Sequence, residues 1–459
     1  MPGGALAVIG SSLIQAFTCD YGYFTRKARV LSHIRFRATA IPLAPFCFGK
    51  QGPLCVYREE YRSRRGAAER DEPKPGGCSR RNDGEEWNGM IINDEMYMRI
   101  ALQLAAAAVG QTGINPVVGC VLVKDGRVVG MGAHLKRGDA HAEIHALNMA
   151  GAEAAGSTAY VTLEPCSHHG RTGPCSDRLI REGVKRVVVA AVDPNPVVAG
   201  SGIARLRAQG IEVTEGVLAA ESEALNEAFN KYIVTRRPFV TVKTASTLDG
   251  KVAAAGGDSK WITGEAARGY VHTLRHRHQA ILTGVGTVMA DDPQLTTRLP
   301  VPGLSPVRII ADSMLRIPLE SKLLHDGEAP VIVLTTAEAP EDRRRALEAL
   351  GVQVIDCGPG PAVDLEAALA RLGELEIGSV LVEAGGKLAG AFLERRLADK
   401  LVLFFAPKII GGGAEAPGTF DFPGFRAMRQ AIRLERMTVE TFGEDVCFTG
   451  YPSYEAADS

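Results

Sequence analysis

The chain has 459 residues, 52 Lys plus Arg against 53 Asp plus Glu, and a formal net charge of -1. That length exceeds one ordinary core and predicts two or three domains, while the balanced charge argues against the basic stripe of a nucleic-acid binder. No run approaches the roughly 20 consecutive apolar residues of a membrane span, so a cytoplasmic protein acting on small molecules is expected.

Residues 1–89 stand apart. They hold four of the nine cysteines, an arginine excess (Arg58, Arg62, Arg64, Arg65, Arg70, Arg80 and Arg81) and the polar stretch Asp71-Glu72-Pro73-Lys74-Pro75-Gly76-Gly77. The apolar residues 5–17 lack the basic flank and small-residue cleavage site of a secretory signal, and Glu59, Glu60, Glu69, Asp71 and Glu72 argue against an organellar transit peptide. The segment reads as an unstructured or non-native extension. Gly84-Glu85-Glu86 can be encoded as a purine-rich ribosome-binding sequence ahead of Met90, which is where the working chain is expected to start.

From Asp94 helical and strand periods alternate. A helix is predicted over the alanine-rich residues 98–109, then strands over 119–123 and 127–131 around Asp125-Gly126, a dipeptide that suits a two-residue hairpin turn. A helix entered at Gly138-Asp139-Ala140 carries the apolar positions Ile144, Leu147 and Met149. A strand over 159–163 follows, then a helix opening near Pro174, which suits a first turn where a missing N–H costs nothing. A strand over 186–192 and a helix over 221–232 complete the unit. This alternation predicts an α/β sandwich with helices on both faces of one sheet. Arg236-Arg237-Pro238 marks the preferred boundary. Beyond it strands are predicted over 239–244, 280–282, 307–311, 331–334, 379–382 and 400–405, with helical segments between them, again α/β.

The chemistry of the first unit lies in His141-Ala142-Glu143, Pro165-Cys166 and Pro174-Cys175. One histidine and two thiols are three ligands for Zn2+, which favours four-coordinate nitrogen and sulfur sites and keeps one position for water when it is hydrolytic. Glu143 is then a carboxylate not needed as a ligand. A histidine, a glutamate two residues on and a later pair of proline-preceded cysteines form the signature of zinc deaminases of amino-heterocycles. A water acidified by the metal attacks an electron-poor ring carbon, and one carboxyl passes its protons in turn to the ring nitrogen and the departing amine. Residues two apart do not share a helical face, so His141 and Glu143 converge only where the chain enters a helix. Two other readings stay open: a structural zinc with a fourth ligand among His145, His168 and His169, and a disulfide between Cys166 and Cys175, although nothing upstream marks an oxidising compartment. The insert 167–174 is longer than the common spacing and rich in turn formers, as a loop beside a ligand would be.

In the second unit Val382-Glu383-Ala384-Gly385-Gly386-Lys387-Leu388-Ala389-Gly390 sets glycines between a strand and a helix, where backbone N–H groups can approach a phosphate. A plain turn has the same look.

Several stretches now combine. Asn115-Pro116-Val117-Val118-Gly119-Cys120-Val121, the His141 motif, Thr162-Leu163-Glu164-Pro165-Cys166-Ser167-His168-His169-Gly170-Arg171-Thr172 and Asp193-Pro194-Asn195-Pro196 stand in the first unit. Ala245-Ser246-Thr247-Leu248-Asp249-Gly250-Lys251, Asp258-Ser259-Lys260-Trp261-Ile262-Thr263, Gly284-Val285-Gly286-Thr287-Val288 and Asp291-Asp292-Pro293 stand in the second. From about Met90 to its end the chain resembles the bifunctional deaminase-reductase family of riboflavin biosynthesis, and the histidine-rich insert separates that family from cytidine and tRNA adenosine deaminases.

The resemblance implies a cytidine-deaminase-like α/β/α sandwich over 90–236, with zinc on His141, Cys166 and Cys175 and Glu143 as proton shuttle. It implies a dihydrofolate-reductase-like α/β domain over 237–459 that uses NADPH. The substrate would be 2,5-diamino-6-(5-phosphoribosylamino)pyrimidin-4(3H)-one, which loses its 2-amino group before its ribosyl side chain is reduced to ribityl. Asn115, His134 and Arg171 would lie in the deaminase pocket, with Arg171 on the phosphate; an exposed loop cation is the plainer reading of Arg171. Cofactor contacts are implied for Ala245, Trp261, Thr287, Asp291, Ser313, Gly385, Gly386, Lys387, Leu388, Ala389, Gly390 and Ala391. Substrate contacts are implied for Ser259, Arg275, Leu295, Arg298 and Glu383. Asp291-Asp292-Pro293 would otherwise cap a turn, and Trp261 would otherwise pack. A homo-oligomer without nucleic-acid or membrane partners is expected. A deaminase with a degenerate second half, and a zinc- and nucleotide-binding sensor without turnover, are the competing readings.

Overall fold

Asn93 accepts a hydrogen bond from the Met96 amide at 3.0 Å and so starts α1 (Asp94–Ala106), ahead of where the alanine run alone places it. Such a cap satisfies a donor that the first helical turn otherwise leaves free. The computed structural model describes residues 92–168, 173–196 and 198–454, so the expectations for residues 1–89 and for Arg171 lie outside the described residues. Next come β1 (Gly119–Lys124) and β2 (Arg127–Ala133), joined through Asp125 at φ 49° and Gly126 at φ 74°, the two positive values that a hairpin turn of this length requires.

The remaining elements of the first layer are α2 (Ala142–Ala150), β3 (Thr158–Leu163), α3 (Cys175–Arg181), β4 (Arg186–Ala191), α4 (Ser201–Ala208), β5 (Glu212–Glu215), α5 (Ala219–Leu225) and α6 (Glu227–Thr235). The five strands form one sheet in the order β2-β1-β3-β4-β5, antiparallel on both sides of β1 and parallel from β3 onward. Side chains alternate across β1. Cys120 and Leu122 enter a core with Ala146 of α2, Leu179 of α3 and Leu206 of α4, while Val121 and Val123 pack on Met98 and Ala101 of α1. This is the expected sandwich.

Three local expectations need correction. Pro174 is the residue before α3 rather than part of its first turn. The buried face of α2 is Ala142, Glu143, Ala146, Leu147 and Ala150, whereas Met149 is exposed, because small residues let the helix lie flat on the sheet. The helix expected over 221–232 is two helices. They meet at the buried Asn226, whose Oδ1 accepts from the Val117 amide (2.8 Å) and whose Nδ2 donates to the Val117 carbonyl (3.0 Å).

The second layer runs β6 (Phe239–Thr247), α7 (Glu265–Arg277), β7 (Ala280–Gly284), α8 (Val285–Asp291), β8 (Val307–Ala311), β9 (Val331–Thr335), α9 (Glu341–Ala349), β10 (Gln353–Asp356), α10 (Leu365–Glu374), β11 (Ser379–Glu383), α11 (Gly386–Glu394), β12 (Lys400–Ala406), β13 (Arg433–Phe442) and β14 (Asp445–Ser453). Its nine strands are ordered β10-β9-β8-β7-β11-β6-β12-β14-β13, parallel from β10 through β12 and antiparallel at β14 and β13. Ligands of open parallel sheets bind beyond the carboxyl ends of the strands, here the ends of β6, β7, β8 and β11. The described residues form one compact unit. Arg137 grips Glu376, Lys231 grips Asp399 and Lys400 grips Glu227 between the two sheet layers. No helix among the described residues is long and apolar enough to cross a membrane.

Candidate functional site

His141 is the extended residue immediately before α2, and Glu143 lies in the first turn of that helix. Gly132 on β2 makes this placement possible, since a Cβ there would stand 2.3 Å from the Ala142 carbonyl oxygen. Cys166 follows the end of β3, and Cys175 opens α3. His141 Nδ1 is 3.6 Å from Cys166 Sγ and 3.3 Å from Cys175 Sγ, and one ligand atom from each residue lies within 4.8 Å of the others. Zinc bonded at ~2.3 Å to sulfur and ~2.0 Å to nitrogen separates tetrahedral neighbours by about 3.5 Å, so the three side chains fit the ion. Among the described residues no fourth ligand joins them, and both thiols are free.

The electrostatics suit a metal. A hydrogen bond from Cys175 pulls the Cys166 thiol well below its ordinary value, and the same bond, with burial, pushes Cys175 far above its own, so the pair shares one proton. Binding a divalent ion releases that proton. Glu143 is buried, and burial raises its carboxyl to about 7 against the opposing charge of His141. His134 Nδ1 donates to the Ala140 carbonyl and Nε2 accepts from Asn115 Nδ2, each at 3.2 Å, and its ring stands edge-on to His141 at 5.4 Å. Asn115 and His134 therefore stand together beside the metal ligands, and burial keeps His134 below its ordinary value.

A cavity of about 1000 Å³ opens at the carboxyl ends of β6, β7, β8 and β11. Ala245, Ser259, Thr287, Asp291, Ser313, Glu383, Gly385, Gly386, Lys387, Leu388 and Ala391 line it. A Cβ on Gly286 or Gly385 would meet nothing within 4 Å, which leaves room where α8 and α11 begin. Binding pockets for drug-sized ligands span roughly 300–1,000 Å³, so a dinucleotide fits here and helix N-termini face it as they would a phosphate.

Other named positions fall elsewhere. Ala389 is buried in the core, and a Cβ on Gly390 would stand 2.6 Å from the Asp421 carbonyl oxygen, so these two serve packing. Trp261 is 64% exposed and stacks under Arg268, with 4.6 Å from guanidinium carbon to ring centre. Asp292 caps α8 and accepts from the Lys322 amide, so the turn reading holds for that aspartate while Asp291 pairs with Lys260 on the rim.

Arg275, Arg298 and Glu383 meet around Thr296. Arg275 binds both Glu383 oxygens at 2.7 and 3.1 Å and donates to the Thr296 carbonyl, while Arg298 donates to the Thr296 hydroxyl. Leu295 is buried beside them at φ 55°, a costly backbone for a branched side chain. Lys243 was not anticipated. It stands 3.8 Å from Glu383 in the cavity wall, and burial lowers its pKa despite that neighbour. A lysine inside the apolar run Phe239-Val240-Thr241-Val242 was the available signal, since buried lysines are rare.

Residues 91–191 match the cytidine and deoxycytidylate deaminase zinc-binding region, and residues 238–448 match the RibD C-terminal domain. The riboflavin biosynthesis protein RibD of Aquifex aeolicus is 46% identical over 353 residues, covering 77% of this chain and 97% of that protein. The RibD of Escherichia coli is 43% identical, covering 78% and 98%. Among solved structures, Acinetobacter baumannii RibD is 40% identical with a TM-score of 0.71, covering 78% of this chain and 99% of that one. The Thermotoga maritima diaminohydroxyphosphoribosylaminopyrimidine deaminase/5-amino-6-(5-phosphoribosylamino)uracil reductase is 38% identical with a TM-score of 0.69 and the same coverages. The chain belongs to the RibD family of riboflavin biosynthesis proteins.

Proposed function

We propose that this chain deaminates the diaminopyrimidine carrying a phosphoribosylamino group and then reduces the ribosyl side chain of the product to ribityl. The observation that carries this reading is the pairing, in one chain, of a three-ligand zinc constellation flanked by a buried spare carboxylate with a dinucleotide-sized cavity. His141, Cys166 and Cys175 would hold the zinc, which when bound would supply a water acidified towards neutrality. Glu143 would carry one proton of the attacking water to the ring nitrogen and then the second to the amino group, which departs as ammonia while the ring carbon keeps the oxygen. Asn115 and His134 orient the ring, and Arg171 serves the phosphate.

In the second site NADPH supplies the hydride, and the protein orients donor and acceptor. Ala245, Thr287, Asp291, Ser313, Gly385, Gly386, Lys387, Leu388 and Ala391 hold the cofactor, with Trp261 at the rim. Glu383, kept ionised by Arg275 and Lys243, accepts hydrogen bonds from sugar hydroxyls, and Ser259 and Leu295 border the substrate. Because Arg275 is engaged by Glu383 and Thr296, Arg298 is the guanidinium left to fork onto a phosphate. The deaminase domain spans 90–236 and the reductase domain 237–459, in a cytoplasmic homo-oligomer for which residues 1–89 are dispensable.

Isotopes test both steps separately. Oxygen-labelled water should mark the pyrimidine product once, and NADPH deuterated at the nicotinamide should place deuterium on the sugar chain. Absence of either label from its product overturns the corresponding half of the reading.

A further inference from the structure

Glu164 is 4% exposed, and among the described residues no cation pairs with it. Its carboxylate instead accepts four backbone N–H groups. Oε1 takes those of Gly202 (2.8 Å) and Ile203 (3.2 Å), and Oε2 takes those of Gly200 (2.9 Å) and Asp193 (3.3 Å). Gly200, the residue before α4, caps that helix with no side chain of its own. The orphan donors of the first turn are thus satisfied from 38 residues upstream, and the negative charge sits where the helix dipole favours it. The same carboxylate holds Asp193, just beyond β4, so it cinches the β4–α4 connection at both ends.

This connection lies against the metal-bearing segment. A Cβ on Gly202 would stand 2.0 Å from the Pro165 carbonyl oxygen, and Ser201 Oγ is 2.6 Å from Ser167 Oγ. Cys166 itself is held by other means. Its carbonyl accepts from the Ser176 amide and hydroxyl, and its sulfur accepts from the Cys175 amide. Loosening the connection therefore shifts what borders the site without disturbing the ligands.

We propose that Glu164 is a positioning residue of the deaminase site, setting the β4–α4 connection as a wall of the substrate pocket and acting on substrate binding rather than on zinc. This rests on the deaminase reading above. Glu164→Gln replaces one acceptor oxygen with an amide that faces N–H donors, so one end of the connection must release. Gly202→Ala pushes the same connection off Pro165 with the carboxylate intact.

The test uses full-length, zinc-loaded protein. Both variants should keep one zinc per chain, exchange the amides of Gly200 and Ile203 at least ~10-fold faster, and raise KM for deamination by roughly tenfold or more with kcat within about threefold, as expected when ligand placement and not chemistry is disturbed. NADPH oxidation by the same samples reports that the chain is folded. Zinc loss, a fall in kcat at unchanged KM, unchanged exchange, or loss of NADPH oxidation together with deamination would overturn the proposal. A wild-type chain that releases no ammonia sinks the deaminase reading and the positioning role together. An active wild type with kinetically silent variants sinks the positioning role alone.

Discussion

Glu383→Gln is the most informative single perturbation of the reductase site. Burial alone would raise this carboxyl, but Arg275 and Lys243 reverse that and hold it at about 2 against an ordinary 4.5. The Glu383 and Arg275 side chains are each 12% exposed, so solvent screens the pair little. At roughly 1.4 kcal/mol per pH unit, the gap is worth about 3 kcal/mol. Neutralising one partner of a buried pair costs about 3–5 kcal/mol, and the two figures agree. Because the folded-state value lies below the unfolded one, the contribution is complete above about pH 4.5 and is lost as pH falls through about 2. Urea unfolding followed by circular dichroism should show the variant about 3 kcal/mol less stable at pH 7, with the difference shrinking steadily below pH 4.5. NADPH oxidation should fall while ammonia release persists. A variant as stable as wild type at neutral pH, or a difference that ignores acid, would refute the argument.

Other outcomes follow from the same geometry. Glu143→Gln should lower deamination by about a hundred- to ten-thousand-fold, the usual contribution of a positioned proton carrier, with one zinc per chain retained by elemental analysis; metal loss would contradict a shuttle that is not a ligand. Asn226→Ala strands the buried amide and carbonyl of Val117, and at about 1–3 kcal/mol for each unsatisfied group a thermal melt should show a loss of about 2–6 kcal/mol. Removing residues 1–89 should leave both rates unchanged in steady-state assays.

The first layer was legible because its signals are local. Asp125-Gly126 dictates the hairpin, and residues two apart at His141 and Glu143 can meet only where a helix begins. The alternation of helical and strand segments from Asp94 onward predicts the sandwich. What escaped was tertiary. Nothing near Asn226 announces that its side chain will satisfy Val117, 109 positions away, and split a helix. Glu164 reads as part of a motif whose next residues bind metal, yet its partners lie 29 to 39 positions downstream. The β13–β14 hairpin was missed because β13 is an edge strand with little buried surface, so its alternation is weak. In the cavity, a glycine with open space beside it, such as Gly385, and a glycine that admits a neighbouring backbone, such as Gly390, look alike until the chain is folded.

The most direct measurement supplies the diaminopyrimidine phosphate to zinc-loaded protein and follows ammonia and NADPH absorbance in one cuvette. The account predicts one NADPH consumed per ammonia released. A zinc chelator should stop both signals, and adding the already deaminated uracil should restore NADPH oxidation alone. NADPH oxidation from the diaminopyrimidine without ammonia, or ammonia release that chelation leaves untouched, would contradict it.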